Sequence, residues 1–177
     1  VALPVFLEEA LGWNFSAIVG FLGLWVVGYE IVQASAPALR RLWVQSSSPG
    51  SSALQFWNAL LTAVPALLAV ALWREVDVSI AITAGLALFG VVFAMNSSIH
   101  SYMVLAYTDS ESVSLNVGFY YMANAAGRLI GTLLSGAIFL LGGMQACLWT
   151  SCLLVGLAWL TSLRLPPTLR SSSLLPI

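Results

Sequence analysis

The chain has no lysine, one histidine and two cysteines, and only 7% of its 177 residues are charged. A soluble domain carries about a quarter charged residues, so this scarcity excludes an ordinary water-facing surface. A net charge of -1 and the lack of any basic run give no support for a nucleic-acid partner. One histidine and two separated cysteines leave no metal-ligand constellation. Cys147 and Cys152 stand five residues apart, which turns a helix by about 140° and points them to different faces. They read as small apolar filling. No Gly-rich phosphate loop and no nucleophile–base arrangement stands out, so neither an ATP-driven pump nor an enzyme is expected, and no cofactor.

What the chain does have is apolar residues, 60% of the total, and long runs of them. That makes an all-α, polytopic membrane protein the expected fold class, with the lipid bilayer as its surroundings. Residues 1–7 read as the outgoing end of one membrane helix. Glu8, Glu9, Gly12 and Asn14 follow as a polar connection. Complete spans are expected over 16–39, 56–73, 78–107, 116–141 and 144–163. At about 1.5 Å per residue, 16–39 reaches about 36 Å, enough to cross with some tilt. Pro65 falls inside the second of these spans, where bundles tolerate it. The Ser/Pro/Gly stretch 45–55, the charged turn Arg74-Glu75-Val-Asp77 and the acidic stretch 108–115 read as connections. Gly142 and Gly143 make a tight turn, and Arg164, Pro166 and Pro167 end the last span before a tail, 164–177.

Arginine placement sets the expected orientation. Arg40, Arg41, Arg164 and Arg170 fall on one side of such a bundle and only Arg74 on the other. The tail is therefore expected in the cytoplasm. The chain opens on Val1 inside an apolar segment, with no secretory signal pattern. The expectation is a fragment, or an incomplete gene model, whose N-terminal part is missing.

The sixth arginine is the informative one. Arg128 lies near the middle of the span 116–141. A central Arg costs roughly 3 kcal/mol on insertion scales, and is tolerated when it faces protein, water or ligand. Tyr121, Asn124, Arg128, Thr132 and Ser135 recur at three or four residues and form one polar stripe. Ala123, Gly127, Gly131 and Ser135 form a small-residue stripe beside it, suited to close helix approach. Such a helix is expected to line a cavity. Arg128 offers a planar fork of donors for an oxyanion, and Asn124 and Tyr121 add neutral donors on the same face. In 78–107, Asn96 and His100 share a face and are expected to complete the donor cluster. In 16–39, Glu30 is the one carboxylate well inside a span. With Gln33 it is a candidate for proton coupling or gating. The plainer reading of Glu30 is a carboxylate satisfied by Gln33, Tyr29 or an arginine; the alternative for Arg128 is a structural ion pair with Glu30 or with a carboxylate of the missing part.

Three stretches carry a resemblance. Gly20-Phe-Leu-Gly-Leu-Trp-Val-Val-Gly-Tyr-Glu-Ile-Val-Gln-Ala-Ser-Ala-Pro37, Asn96-Ser-Ser-Ile-His-Ser-Tyr-Met-Val-Leu-Ala-Tyr-Thr108 and Gly118-Phe-Tyr-Tyr-Met-Ala-Asn-Ala-Ala-Gly-Arg128 resemble the ArsJ group of organoarsenical efflux permeases, within the major facilitator superfamily. The resemblance implies the C-terminal six-helix lobe of that fold: five complete spans, plus the end of one. It implies export of a small anion, 1-arseno-3-phosphoglycerate, conferring arsenate resistance. It also implies a partner, the missing N-terminal lobe of the same transporter.

Overall fold

The computed structural model describes residues 1–43, 51–74, 76–108 and 113–165. Within them the chain is all helical: α1 (Ala2–Leu11), α2 (Phe15–Trp43), α3 (Ser51–Trp73), α4 (Val78–Ala106) and α5 (Val113–Ser162). Four of the five, α2 to α5, are long and apolar enough to cross a membrane. Residues 44–50, Glu75, 109–112 and 166–177 lie outside the described residues, and with them most of the expected connections and tail, including Arg170.

Local chemistry sets the helix ends. α1 runs to Leu11, through Glu8 and Glu9, rather than stopping at residue 7. Gly12 closes it in the left-handed region, at φ 65°. The Gly12 N–H donates to the Glu8 carbonyl at 3.0 Å and the Trp13 N–H to the Leu7 carbonyl at 3.1 Å, which satisfies carbonyls a helix end leaves free. Asn14 caps α2, its Oδ1 accepting from the Ala17 N–H at 2.8 Å. Asp77 caps α4 in the same way, accepting from the Ile80 N–H at 3.0 Å. α3 begins at Ser51, earlier than the Ser-rich sequence suggests. Tertiary contacts account for the extra turn. Leu54 is buried against Ile99 and Met103, and Gln55 Nε2 donates to the Ser162 carbonyl at 3.2 Å.

α5 holds 50 residues and would be about 75 Å long if straight, more than twice the ~30 Å hydrocarbon thickness. It is not straight. Gly142 (φ -154°, ψ 19°) and Gly143 (φ 64°, ψ -161°) break it. Cys147 Sγ then lies 3.5 Å from the Ser135 carbonyl oxygen, where twelve helical residues would hold them about 18 Å apart. The arms 113–141 and 144–162 therefore fold back on one another, and the expected spans 116–141 and 144–163 fall on them. Among the described residues the structure holds five helices, the last broken into two arms, and it does not show the six-helix major facilitator lobe that the sequence resemblance implies. The expectation counts these arms separately and takes α1 as the end of a sixth span.

α3 is the centre of the bundle. Leu61, Val64 and Leu68 pack with Val92 of α4 and with Leu148 and Val155 of the second arm. Gln145 Nε2 donates to the Ala69 carbonyl at 2.9 Å; with the Gln55–Ser162 bond this sets α3 antiparallel to that arm. α2 lies parallel to α4: Ile18 packs on Ile82, and Trp25 Nε1 donates to the Leu86 carbonyl at 2.7 Å. Stacked rings continue the seam, Trp25 on Tyr29 at 6.0 Å and Tyr29 on Phe93 at 5.4 Å. α1 meets the first arm of α5 through the Ala2 N–H, 3.3 Å from Ser135 Oγ. Beyond that point the first arm stands free: every residue from 121 to 133 is exposed.

Candidate substrate cavity

The free arm and the α2–α4 pair enclose an open cavity of about 830 Å³. Ligand pockets run from about 300 to 1,000 Å³, so it has room for a small organic solute. α2 contributes Tyr29, Glu30 and Gln33; α4 contributes Phe93, Ser97 and Ser101; the first arm of α5 contributes Tyr120, Tyr121, Asn124, Gly127 and Arg128. On α4 the lining recurs every four residues and forms one face, whereas on the arm it spreads further round the helix and takes in Ala123 and Ala125 as well.

Five residues singled out by sequence reach this one cavity: Arg128, Asn124, Tyr121, Glu30 and Gln33. Glu30 and Arg128 come from helices almost a hundred positions apart in sequence. Both are exposed, and no ion pair links them. The Arg128 carbonyl accepts from Thr132 Oγ1 at 2.8 Å, a bond along its own helix that leaves the guanidinium uncommitted. Gln33 Oε1 is buried without a hydrogen-bond partner.

Asn96 and His100 are placed elsewhere. The cavity face of α4 is Phe93, Ser97 and Ser101. Asn96 belongs to the adjoining face with Val92, Ile99 and Met103, the face that packs on Leu54, Leu61 and Val64 of α3. Asn96 is 6% exposed and its Oδ1 has no partner. His100 is half-buried and off the lining. Their neighbours Ser97 and Ser101 are on the lining instead, with Ser101 Oγ donating to the Ser97 carbonyl at 3.1 Å. Sequence reasoning also passed over Phe93 and Tyr120. The signal that could have found Phe93 is its spacing of four from Ser97 and eight from Ser101.

Among the described residues no group of three or more His, Cys, Asp or Glu is arranged to hold a metal. Cys147 and Cys152 are free thiols.

Comparison with protein-family models, with curated proteins and with solved structures finds no match. The class that fold and site define is therefore stated from geometry: all-helical among the described residues, with four helices long and apolar enough to span a membrane and an open cavity that holds an arginine and a glutamate.

Proposed function

We propose that the chain is part of a secondary membrane transporter that exports a small oxyanion through the α2–α4–α5 cavity. One observation carries this. Arg128, on an apolar helix where a lipid-facing arginine costs roughly 3 kcal/mol, lines an open cavity without an ion-pair partner. Its fork of donors suits a tetrahedral oxyanion, with Asn124, Tyr121 and Ser97 as neutral donors on the same lining. Glu30, with Gln33 one helical turn on, is the group that couples a proton or gates the path.

The resemblance in the three quoted stretches makes 1-arseno-3-phosphoglycerate the proposed substrate, arsenate resistance the outcome and the major facilitator fold the framework. The chain then sits in the inner membrane with its tail in the cytoplasm. Its partner is the missing N-terminal lobe, which covers the arm that is exposed from 121 to 133. Four aromatic residues on the lining, Tyr29, Phe93, Tyr120 and Tyr121, favour a second reading. In that reading a major facilitator exporter moves another small solute, such as a sugar phosphate or a drug.

Complementation of an arsenate-sensitive cell by the complete transporter tests the first reading. Resistance is expected, together with accumulation of the organoarsenical outside the cell, and Arg128→Lys is expected to reduce export sharply because it keeps the charge but loses the fork. Full export by Arg128→Lys contradicts bidentate recognition. Failure of the unaltered transporter to confer resistance turns the choice to the second reading. A neighbouring glyceraldehyde-phosphate dehydrogenase gene supports the first.

A further inference from the structure

The cavity carries one acid and one base among its described lining residues, Glu30 and Arg128, with no ion pair between them. Both are exposed on the cavity, so each is open to satisfaction by a separate solute group. The acidic side is a built subsite. Glu30 and Gln33 are neighbours on one face of α2, and Gln33 Oε1 is a buried acceptor with no donor. Buried polar oxygens are nearly always paired, so an orphan beside a carboxylate marks a place for an N–H group. Next to them stand Tyr29 and Phe93, whose rings stack on one another at 5.4 Å and on Trp25 and Phe89, an apolar wall beside the carboxylate. The basic side is Arg128 with Asn124, a donor set for an oxyanion.

We propose that the cavity has two subsites and selects a compact zwitterion: an oxyanion held by Arg128 and Asn124, and an amine held by Glu30 and Gln33. This rests on the reading of the cavity as the substrate path and bears on the choice of solute: 1-arseno-3-phosphoglycerate carries no amine, so a zwitterion favours the second reading, an exporter of another small solute, here one that bears an amine. A multiply charged anion with no amine meets Glu30 as a like charge. An oxyanion that carries an amine meets a partner at both ends.

Three probes that differ by one charged group test this: 2-aminoethylphosphonate, ethylphosphonate and ethylamine. Their binding to the full chain in lipid nanodiscs is measured at neutral pH by calorimetry, alongside Glu30→Gln and Arg128→Gln, with helicity checked by circular dichroism. The unaltered chain is expected to bind 2-aminoethylphosphonate about tenfold or more tightly than ethylphosphonate, one charge-assisted contact being sufficient for that factor. Glu30→Gln should abolish the preference while leaving ethylphosphonate bound, and Arg128→Gln should weaken both phosphonates. Equal binding of the two phosphonates, lost with Arg128→Gln, overturns the amine subsite and leaves the oxyanion site standing. A preference that survives Glu30→Gln also overturns the subsite. No Arg128-dependent binding of any probe overturns both the zwitterion and the cavity reading beneath it.

Discussion

Replacing Trp25 with phenylalanine strikes the seam that holds one wall of the cavity against another. The indole N–H donates to the Leu86 carbonyl at 2.7 Å, from α2 across to α4. Interhelical side-chain hydrogen bonds in membranes are worth about 0.6 kcal/mol on average and up to about 1.7. Trp25→Phe should therefore cost about 1 kcal/mol. The same indole closes over Gly90: a Cβ built there would lie 3.1 Å from Nε1 and 3.4 Å from Cε2. Contacts that tight force a shift, so Gly90→Ala should cost about 1–3 kcal/mol by overpacking. Phenylalanine lacks the ring portion that makes the contact. In the double variant the alanine then fits, and the two costs should fall short of their sum by about 1 kcal/mol or more. The assay is unfolding of the reconstituted chain in mixed micelles by SDS titration, read by helicity and run as a full double-mutant cycle. Strict additivity would show that Trp25 and Gly90 do not meet and would refute the parallel α2–α4 packing.

Other consequences follow from the same geometry. Gly143→Ala should destabilise the turn between the α5 arms by about 1–3 kcal/mol, since φ 64°, ψ -161° is a region that only glycine enters readily; the same titration reads it, and a neutral result would contradict the turn. Gly85→Ala should cost about 1–3 kcal/mol, because the new methyl overlaps the Leu68 side chain at the α3–α4 contact, and Leu68→Ala introduced with it should restore part of the loss. In a chain with Cys147 and Cys152 replaced by serine, Thr62→Cys with Gly156→Cys should form a disulfide under mild oxidant, since a Cβ at 156 would lie 3.5 Å from Thr62 Cγ2. Absence of that cross-link would contradict the antiparallel packing of α3 on the second arm.

Helical period made much of this arrangement legible in the sequence. Tyr121, Asn124 and Arg128 are one stripe by spacing alone, and they reach one cavity together. Glu30 and Gln33 stood out as polar groups deep in an apolar run, and they line the same space from another helix. What period cannot supply is the rotation of one helix against another. Asn96 and His100 were polar and correctly spaced, yet α4 turns Phe93, Ser97 and Ser101 to the cavity and packs the Asn96 face on α3. That rotation is set by Leu54, Leu61 and Val64, residues of a different helix. The Ser-rich start of α3 shows the same limit: local composition reads as loop, and the long-range bond from Gln55 to Ser162 decides otherwise. Capping, by contrast, is local. Gly12, Asn14 and Asp77 end or begin helices where their chemistry permits.

Cysteine scanning along the exposed arm tests the placement of Arg128 most directly. In the membrane-embedded chain without its native cysteines, single cysteines are placed at 121, 124 and 128, which line the cavity, and at 122, 129 and 133, which do not. Their reaction rates with a charged, water-soluble thiol reagent are then compared. The three cavity positions should react quickly and the other three slowly, a pattern with helical period. Slow reaction at 128 and 124, or equal rates all along the arm, would place the guanidinium outside any water-filled path and contradict a transport cavity.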